Sequence, residues 1–230
     1  MIDESNLPSP SERKFKPPRL ILPGIYAFPP NRDILGGTAY LLVHSGGNIL
    51  VDCPAWDEEN QQFLAELGGV RWLALSHRGG ISPSLAVLQQ TLNCQVLIQE
   101  QESYLLPNLA VTTFQDSLDL NSELQLIWTP GHSPGSTCLY TSVLGGVLFT
   151  GRHLLSDQQG QPTPLRLSKT FHWQRQLNSV AKLRDRFSAT TLNYLCPGAN
   201  TGFLRGKGFI DQAYQRLEKL DLKALSLSKP

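Results

Sequence analysis

Ser76-His77-Arg78-Gly79-Gly80-Ile81-Ser82 is the stretch around which the chain is organised. It closes an apolar run, residues 71–75, and precedes a helical pattern over about residues 82–92. A histidine and two glycines between a strand and a helix place polar groups at the carboxyl end of that strand. Ligands of α/β sheets bind at this edge. The stretch therefore predicts one part of a ligand site.

A second stretch has the same character. Pro130-Gly131-His132-Ser133-Pro134-Gly135-Ser136 follows another apolar run, residues 124–128. Each of the two loops carries one histidine at the end of a predicted strand. We therefore predict that His77 and His132 share a site although they lie 55 positions apart (132 − 77).

The remaining pattern is that of an α/β protein. Glycine pairs predict two hairpins, with strands over 38–43 and 48–51 and over 136–143 and 147–150. The alternation of strands and helices over 51–99 predicts parallel pairing. Apolar residues at helical spacing predict a long helix over 173–187 and a closing helix over 211–220. Residues 156–170 are polar and predict an irregular loop.

Composition sets broad limits on partners and location. The net charge of +1 gives no long-range attraction to nucleic acid, and no apolar run approaches the ~20 residues of a spanning helix. Four scattered cysteines are typical of reduced, buried thiols in a cytoplasmic protein. We expect an N-terminal tail or strap over 1–19, a single domain over 20–222 and a C-terminal tail over 223–230.

Four motifs carry a resemblance to the metallo-β-lactamase fold superfamily, which includes glyoxalase II-like hydrolases. The family reads H-x-H-x-D-H, P-G-H-[ST]-x-G-[ST], T-G-D and P-G-H in this order. The matching stretches here are His77–Ser82, Pro130–Ser136, Thr150-Gly151-Arg152 and Pro197-Gly198-Ala199. The resemblance covers roughly residues 20–200 and implies a four-layer αββα sandwich.

The resemblance also implies seven metal-ligand positions, and only His77 and His132 keep a ligand. Five positions have lost theirs: Gly79, Ile81, Ser82, Arg152 and Ala199. Catalytic zinc ordinarily has three protein ligands. Arg152 replaces a carboxylate that bridges both metals, and a guanidinium about 5 Å from a divalent cation costs roughly 6 kcal/mol at an effective dielectric near 20. We therefore expect no metal cofactor.

Two interpretations of the former metal site remain open. In one, His77 and His132 are hydrogen-bonded loop residues that were retained after metal binding was lost. In the other, positive groups form a pocket for a small anion, because arginine suits carboxylate and phosphate recognition. The candidate residues of this pocket are His77, Arg78, His132, Arg152, His153, Asp52 and Ser82.

Arg152 itself has two alternatives. If Arg152 is paired inside the protein with Asp52 or with loop carbonyls, its replacement by alanine would destabilise the fold by about 3 kcal/mol. If Arg152 instead faces an open pocket, its replacement by alanine would leave the stability almost unchanged and abolish anion binding.

The leading hypothesis for function is a protein of this fold without zinc-dependent hydrolase activity, which keeps the scaffold for binding. The alternative is a residual hydrolase that acts on an ester or thioester with one weakly held zinc or iron. A third hypothesis places a protein partner on the tail and on loop 156–170. Neither nucleic-acid binding nor membrane insertion is expected, and the sequence does not identify a protein partner.

Overall fold

The computed structural model of the protein describes residues 16–227, which form two β-sheets, a short ribbon and α-helices. The first sheet has its strands side by side in chain order: β1 (Arg19–Leu22), β2 (Ile25–Ala27), β3 (Tyr40–Leu42), β4 (Ile49–Val51), β5 (Trp72–Ala74), β6 (Gln95–Gln99) and β7 (Val111–Phe114). Its strands β1 to β4 pair antiparallel, whereas β4 to β7 pair parallel.

The second sheet is built from the other half of the chain. Its strands are β8 (Ser117–Asp119), β9 (Leu124–Trp128), β10 (Thr137–Thr141), β11 (Val147–Gly151), β14 (Tyr194–Pro197) and β15 (Ile210–Asp211). They lie in the order β15-β14-β11-β10-β9-β8. The ribbon pairs β12 (Leu155–Ser156) with β13 (Pro162–Thr163), and all of it except Leu155 falls in the segment 156–170 for which an irregular loop is predicted. Both predicted hairpins are confirmed as β3–β4 and β10–β11.

Five helices within residues 16–227 complete the fold. They are α1 (Glu58–Glu66), α2 (Leu85–Leu92), α3 (Trp173–Arg186), α4 (Ala213–Glu218) and α5 (Leu222–Leu227). Asp57 caps α1 by accepting a hydrogen bond from the Asn60 amide at 2.9 Å, because the first amides of a helix lack partners within it. The amphipathic pattern over 173–187 corresponds to α3.

Three apolar clusters show how the layers stack. One lies between the two sheets, and Tyr40 of β3 packs on Phe149 of β11 there. A second cluster lies between the first sheet and helices α1 and α2. A third lies between the second sheet and helices α3 and α4. The order helix, sheet, sheet, helix confirms the four-layer αββα sandwich. All four cysteines are buried and unpaired.

The chain ends differ from the predicted tails. Residues 1–15 and 228–230 of those tails lie outside the described residues, and Arg19 already belongs to β1. Residues 223–227, expected as a tail, belong to α5, which packs on α3. The Trp173 indole donates to the Leu225 carbonyl at 3.1 Å. Within residues 16–227 no helix combines the length and apolar character needed to cross a membrane.

Candidate functional site

The two histidine loops lie at one edge of the sandwich. His77 follows β5 of the first sheet, and His132 follows β9 of the second. Strands β9 and β11 both pair antiparallel with β10, so they run in the same direction and their carboxyl ends share an edge. Arg152 directly follows β11 at that edge. The topology therefore brings three separate stretches of sequence to one place.

The two histidines meet as predicted. Their ring centroids lie 5.2 Å apart in an edge-to-face arrangement. Gly151 allows this close approach of the two sheets, because a Cβ atom there would lie 2.2 Å from the Ser76 Oγ atom and its φ of +50° disfavours a side chain. The prediction that His77 and His132 converge is confirmed.

A chain of hydrogen bonds lies behind the His77 ring. Asp52 accepts from the Ser76 amide at 2.8 Å and from the Ser76 hydroxyl at 2.6 Å. The Ser76 oxygen lies 2.9 Å from His77 Nδ1. Because the single hydroxyl proton goes to the ionised carboxylate, Nδ1 of His77 must donate to Ser76. The Nε2 atom then carries the lone pair, and it is buried without a partner among the described residues.

Burial keeps the histidines of this region neutral. Burial lowers the pKa of His77 well below its usual value, and the charges of nearby Arg152 and Arg78 lower it further, as does His132. The pKa of His132 falls to about 4 through burial and the same two arginines. Burial and His132 lower the pKa of His153 to about 3. Near neutral pH, the positive charge of the site therefore comes from arginine and lysine.

A cavity of about 600 Å³ opens in front of the two rings. It is lined by Leu35, His77, Arg78, Gly79, Leu105, His132, Arg152, Leu167, Ser168, Lys169, Thr170 and Phe171. The lining contains three cationic side chains and no aspartate or glutamate. It combines them with exposed apolar side chains, so the cavity has both a positive and an apolar surface.

The three cations differ in how they are held. The Nη2 atom of Arg152 donates to the Leu35 carbonyl at 2.9 Å and to the Ile34 carbonyl at 3.4 Å. The side chains of Arg78 and Lys169 are exposed and make no hydrogen bond or ion pair within residues 16–227. Arg152 thus has features of both predicted alternatives, since it is hydrogen-bonded to loop carbonyls and also lines the cavity.

Three residues predicted for the pocket lie outside its lining. Asp52 is buried behind Ser76, and burial raises its pKa to about 6, against the opposing effect of the Ser76 hydrogen bonds and of Arg152. Ser82 is buried, and its hydroxyl accepts from the Ser84 amide at 3.2 Å. His153 is buried, and neither of its ring nitrogens has a partner among the described residues. Each of the three side chains is turned into the protein interior.

A zinc centre does not fit the residues at this site. Within residues 16–227 no group of three or more histidine, cysteine, aspartate or glutamate side chains is placed to bind a metal ion. His77 and His132 supply two imidazoles, one fewer than a catalytic zinc ordinarily has. A Cβ atom at Gly79 would lie 2.9 Å from His77 Nε2, so a ligand-bearing side chain at this position would first have to displace the ring. The Arg152 cation adds repulsion.

Seven lining residues were not predicted from the sequence, Ser168 and Thr170 among them. Leu35 and Leu105 come from turns of the first half of the chain, and Leu167, Lys169 and Phe171 come from the segment before α3. The available signal was the apolar residues within polar stretches, since Leu167 and Phe171 interrupt an otherwise polar segment. That signal marks the residues as unusual but does not assign them to the cavity.

Comparisons with known proteins locate the fold. No protein-family model matches the chain, and neither does any curated protein. A metallo-β-lactamase family protein from Thermus thermophilus superposes with a TM-score of 0.62, 22% identity, and coverage of 90% of this chain and 81% of that chain. A metallo-β-lactamase from Cronobacter sakazakii superposes with a TM-score of 0.61 and 18% identity, and the match covers 92% of this chain and 96% of that chain.

A third solved structure shows the same fold with a ligand. A protein from B. thuringiensis, solved with N-decanoyl-L-homoserine bound at its active site, has a TM-score of 0.52 and 18% identity over 73% of this chain and 90% of that chain. The motif order, the four layers and these superpositions agree. The chain therefore has the metallo-β-lactamase fold.

Proposed function

We propose that the protein binds a small organic anion in the cavity between the two histidine loops, without a metal and without zinc-dependent hydrolase activity. The observation that carries the proposal is the lining of this cavity. Arg78, Arg152 and Lys169 face it together, and no carboxylate lies among the lining residues to neutralise them. Three cations placed together repel one another, and an anion between them removes that cost.

Arg152 supports recognition of a carboxylate or a phosphate. A guanidinium has five N–H donors in a fixed plane, and only Nη2 is used by the carbonyls of the 31–37 loop. The carbonyl bonds hold the plane in place, so an anion binds to an ordered group and less rotamer freedom is lost. The neutral histidines add hydrogen-bonding groups without adding charge.

The size of the cavity supports a small molecule. Small-molecule sites commonly measure about 300–1,000 Å³ and combine apolar walls with a few polar groups, and the cavity of about 600 Å³ has both. The B. thuringiensis protein of the same fold, which holds N-decanoyl-L-homoserine at its active site, also supports an organic ligand.

Calorimetric titration of the full chain with acetate, octanoate and inorganic phosphate tests the proposal. We expect Arg152→Gln to weaken the binding of the preferred anion at least tenfold, because a charge-assisted contact is lost. Arg175→Gln is the matched control, since Arg175 is an exposed arginine of α3 outside the cavity. If none of the three anions binds, the proposal is wrong.

One observation favours the alternative, a weakly metal-bound hydrolase of esters or thioesters. His77 and His132 are neutral, adjacent imidazoles, and the buried Nε2 atom of His77 has no partner among the described residues. We expect purified protein to contain no stoichiometric zinc or iron and to hydrolyse no generic ester, thioester, β-lactam or phosphodiester. Stoichiometric metal together with zinc-dependent turnover that His132→Ala abolishes would establish the alternative.

A further inference from the structure

Exposed apolar side chains are concentrated in the lining of the cavity. Within residues 16–227, eleven large apolar side chains are exposed, and four of them line this one cavity. They are Leu35 (67% exposed), Leu105 (38%), Leu167 (43%) and Phe171 (47%). Together they form what we call the apolar rim. Exposed apolar surface gathered around a cavity indicates an apolar ligand group.

Leu35 reaches the apolar rim by an unfavourable backbone conformation. Its φ of 57° and ψ of 40° are left-handed, which the Cβ atom disfavours. Its amide donates to the Arg32 carbonyl at 3.1 Å, and its carbonyl accepts from Arg152 at 2.9 Å. With two thirds of its side chain exposed, packing does not account for a leucine in this conformation. Strained residues of this kind cluster at ligand sites.

Another part of the apolar rim is hydrogen-bonded to the second histidine loop. The Phe171 amide donates to the His132 carbonyl at 3.0 Å, and the Thr170 amide donates to the Leu167 carbonyl at 2.9 Å. The Leu167 amide in turn donates to the Thr170 hydroxyl at 2.9 Å. These bonds hold Leu167 and Phe171 beside the cations that line the same cavity.

We propose that the ligand is a carboxylate with an unbranched hydrocarbon chain, and that the apolar rim is the site of its chain. Arg152 is a positioning residue for Leu35, because it holds the Leu35 carbonyl while its remaining donors bind the head group. This inference rests on the proposed anion site. The three cations and the apolar rim line the same cavity, an arrangement that suits one free amphipathic molecule that contacts both.

A series of fatty acids tests the chain site. Acetate, butyrate, hexanoate and octanoate, each below its micelle concentration, are titrated into the full chain by calorimetry. We expect the dissociation constant to fall about two- to fourfold for each added methylene, because each buried methylene leaves water. Leu35→Ser and Phe171→Ser should reduce this dependence on chain length. Leu20→Ser is the matched control, since Leu20 is 56% exposed on β1 and lies outside the cavity.

A double-mutant cycle tests the positioning role of Arg152. The measured quantity is the ratio of octanoate to acetate affinity in the wild type, Leu35→Ser, Arg152→Lys and the double variant. Lysine keeps the charge but lacks the planar fork that holds Leu35. If Arg152 positions Leu35, the serine substitution lowers the ratio in the wild type and has little further effect in the lysine background. Additive effects would show that Leu35 is positioned independently.

The outcomes separate the two proposals. Binding of all four acids with equal affinity would overturn the chain site and leave the anion site standing. Binding of none of the acids and of no phosphate would overturn both. Sedimentation with phosphatidylglycerol vesicles identifies a different occupant: if Leu35→Ser abolishes sedimentation and free octanoate does not bind, the apolar rim docks on an anionic membrane surface and the free-ligand proposal is wrong.

Discussion

The two sides of the His77 ring differ in how their polar groups are satisfied. Behind the ring, Asp52 and Ser76 are buried and joined by hydrogen bonds of 2.8 and 2.6 Å, and the Ser76 oxygen lies 2.9 Å from His77 Nδ1. In front of the ring, the side chains of Arg78 and Lys169 are exposed and make no hydrogen bond with the rest of the described chain. Arg152 lies between these extremes, half-buried and bonded to carbonyls.

The difference distinguishes residues that stabilise the fold from residues that are available to bind a ligand. A buried polar group that loses its partner destabilises the fold, because its desolvation is no longer compensated. An exposed cation that is removed changes stability little but removes charge from the cavity. The same edge of the sandwich therefore contains residues that maintain the fold and residues that are free to bind.

Acidification should cause the largest loss of stability, because it protonates in the unfolded chain the histidines that burial keeps neutral in the folded chain. The folded pKa of His153 is about 3 and its ordinary value is 6.5, so below pH 6.5 the unfolded chain binds a proton that the folded chain does not. Lowering the pH from 7 to 5 should cost about 2 kcal/mol through His153 alone. His77 and His132 act in the same direction. Asp52, whose folded pKa is raised to about 6, opposes them by about 1 kcal/mol.

Urea denaturation at pH 7 and at pH 5 measures this loss. His153→Leu should reduce it, since leucine has no proton to bind and His153 makes no side-chain hydrogen bond with the described residues. An equal loss of stability in His153→Leu and in the wild type would show that His153 is not responsible.

Removing the carboxylate behind the ring should give the next largest effect. Asp52→Ala leaves the Ser76 amide and hydroxyl without their acceptor inside the protein. We expect a loss of about 2 kcal/mol in the free energy of unfolding at pH 7. Asp33→Ala, at an exposed position of the 31–37 loop, should cost less than about 0.5 kcal/mol. Equal effects would contradict the structural role of the network.

Arg152 should give the smallest change in stability. Arg152→Ala removes two hydrogen bonds to backbone carbonyls, so we expect a loss of about 1 kcal/mol, below the roughly 3 kcal/mol of a broken buried ion pair. Thermal denaturation with and without phosphate or octanoate measures both stability and ligand binding. The wild type should gain stability from the ligand, and the variant should not.

Metal content of Arg152→Asp sharpens the same comparison. Restoring a carboxylate supplies one ligand, but Gly79, Ile81, Ser82 and Ala199 still supply no suitable group. We therefore expect no tight zinc binding. Stoichiometric zinc in this variant would show that the remaining histidines are sufficient with one added carboxylate.

Local signals in the sequence predicted most of the fold. Glycine pairs indicated both hairpins, and helical periodicity indicated α3. These features depend on neighbouring residues, so they are readable without the tertiary structure. The meeting of His77 and His132 was predicted because each histidine follows a strand in a loop of the same character, and such loops share one edge of the sandwich.

The missed features depend on contacts between distant segments. Leu35 and Phe171 line one cavity although they lie far apart in the sequence, and no periodicity connects them. The position of Arg152 follows from carbonyls that lie more than one hundred residues away. Helix α5 was missed because its packing on α3 holds a short segment whose own pattern is weak.

The contact between Gly151 and Ser76 has a consequence for which substitutions the chain accepts. Any side chain at position 151 would collide with the Ser76 hydroxyl, whatever ligand the neighbouring cavity holds. Position 152 lies one residue further, where the side chain extends toward the cavity and has room. A library of variants selected for folding alone should therefore retain glycine at 151 and diversify at 152. Two adjacent positions of one motif are thus subject to different selection, one for assembly of the sandwich and the other for the chemistry at its edge.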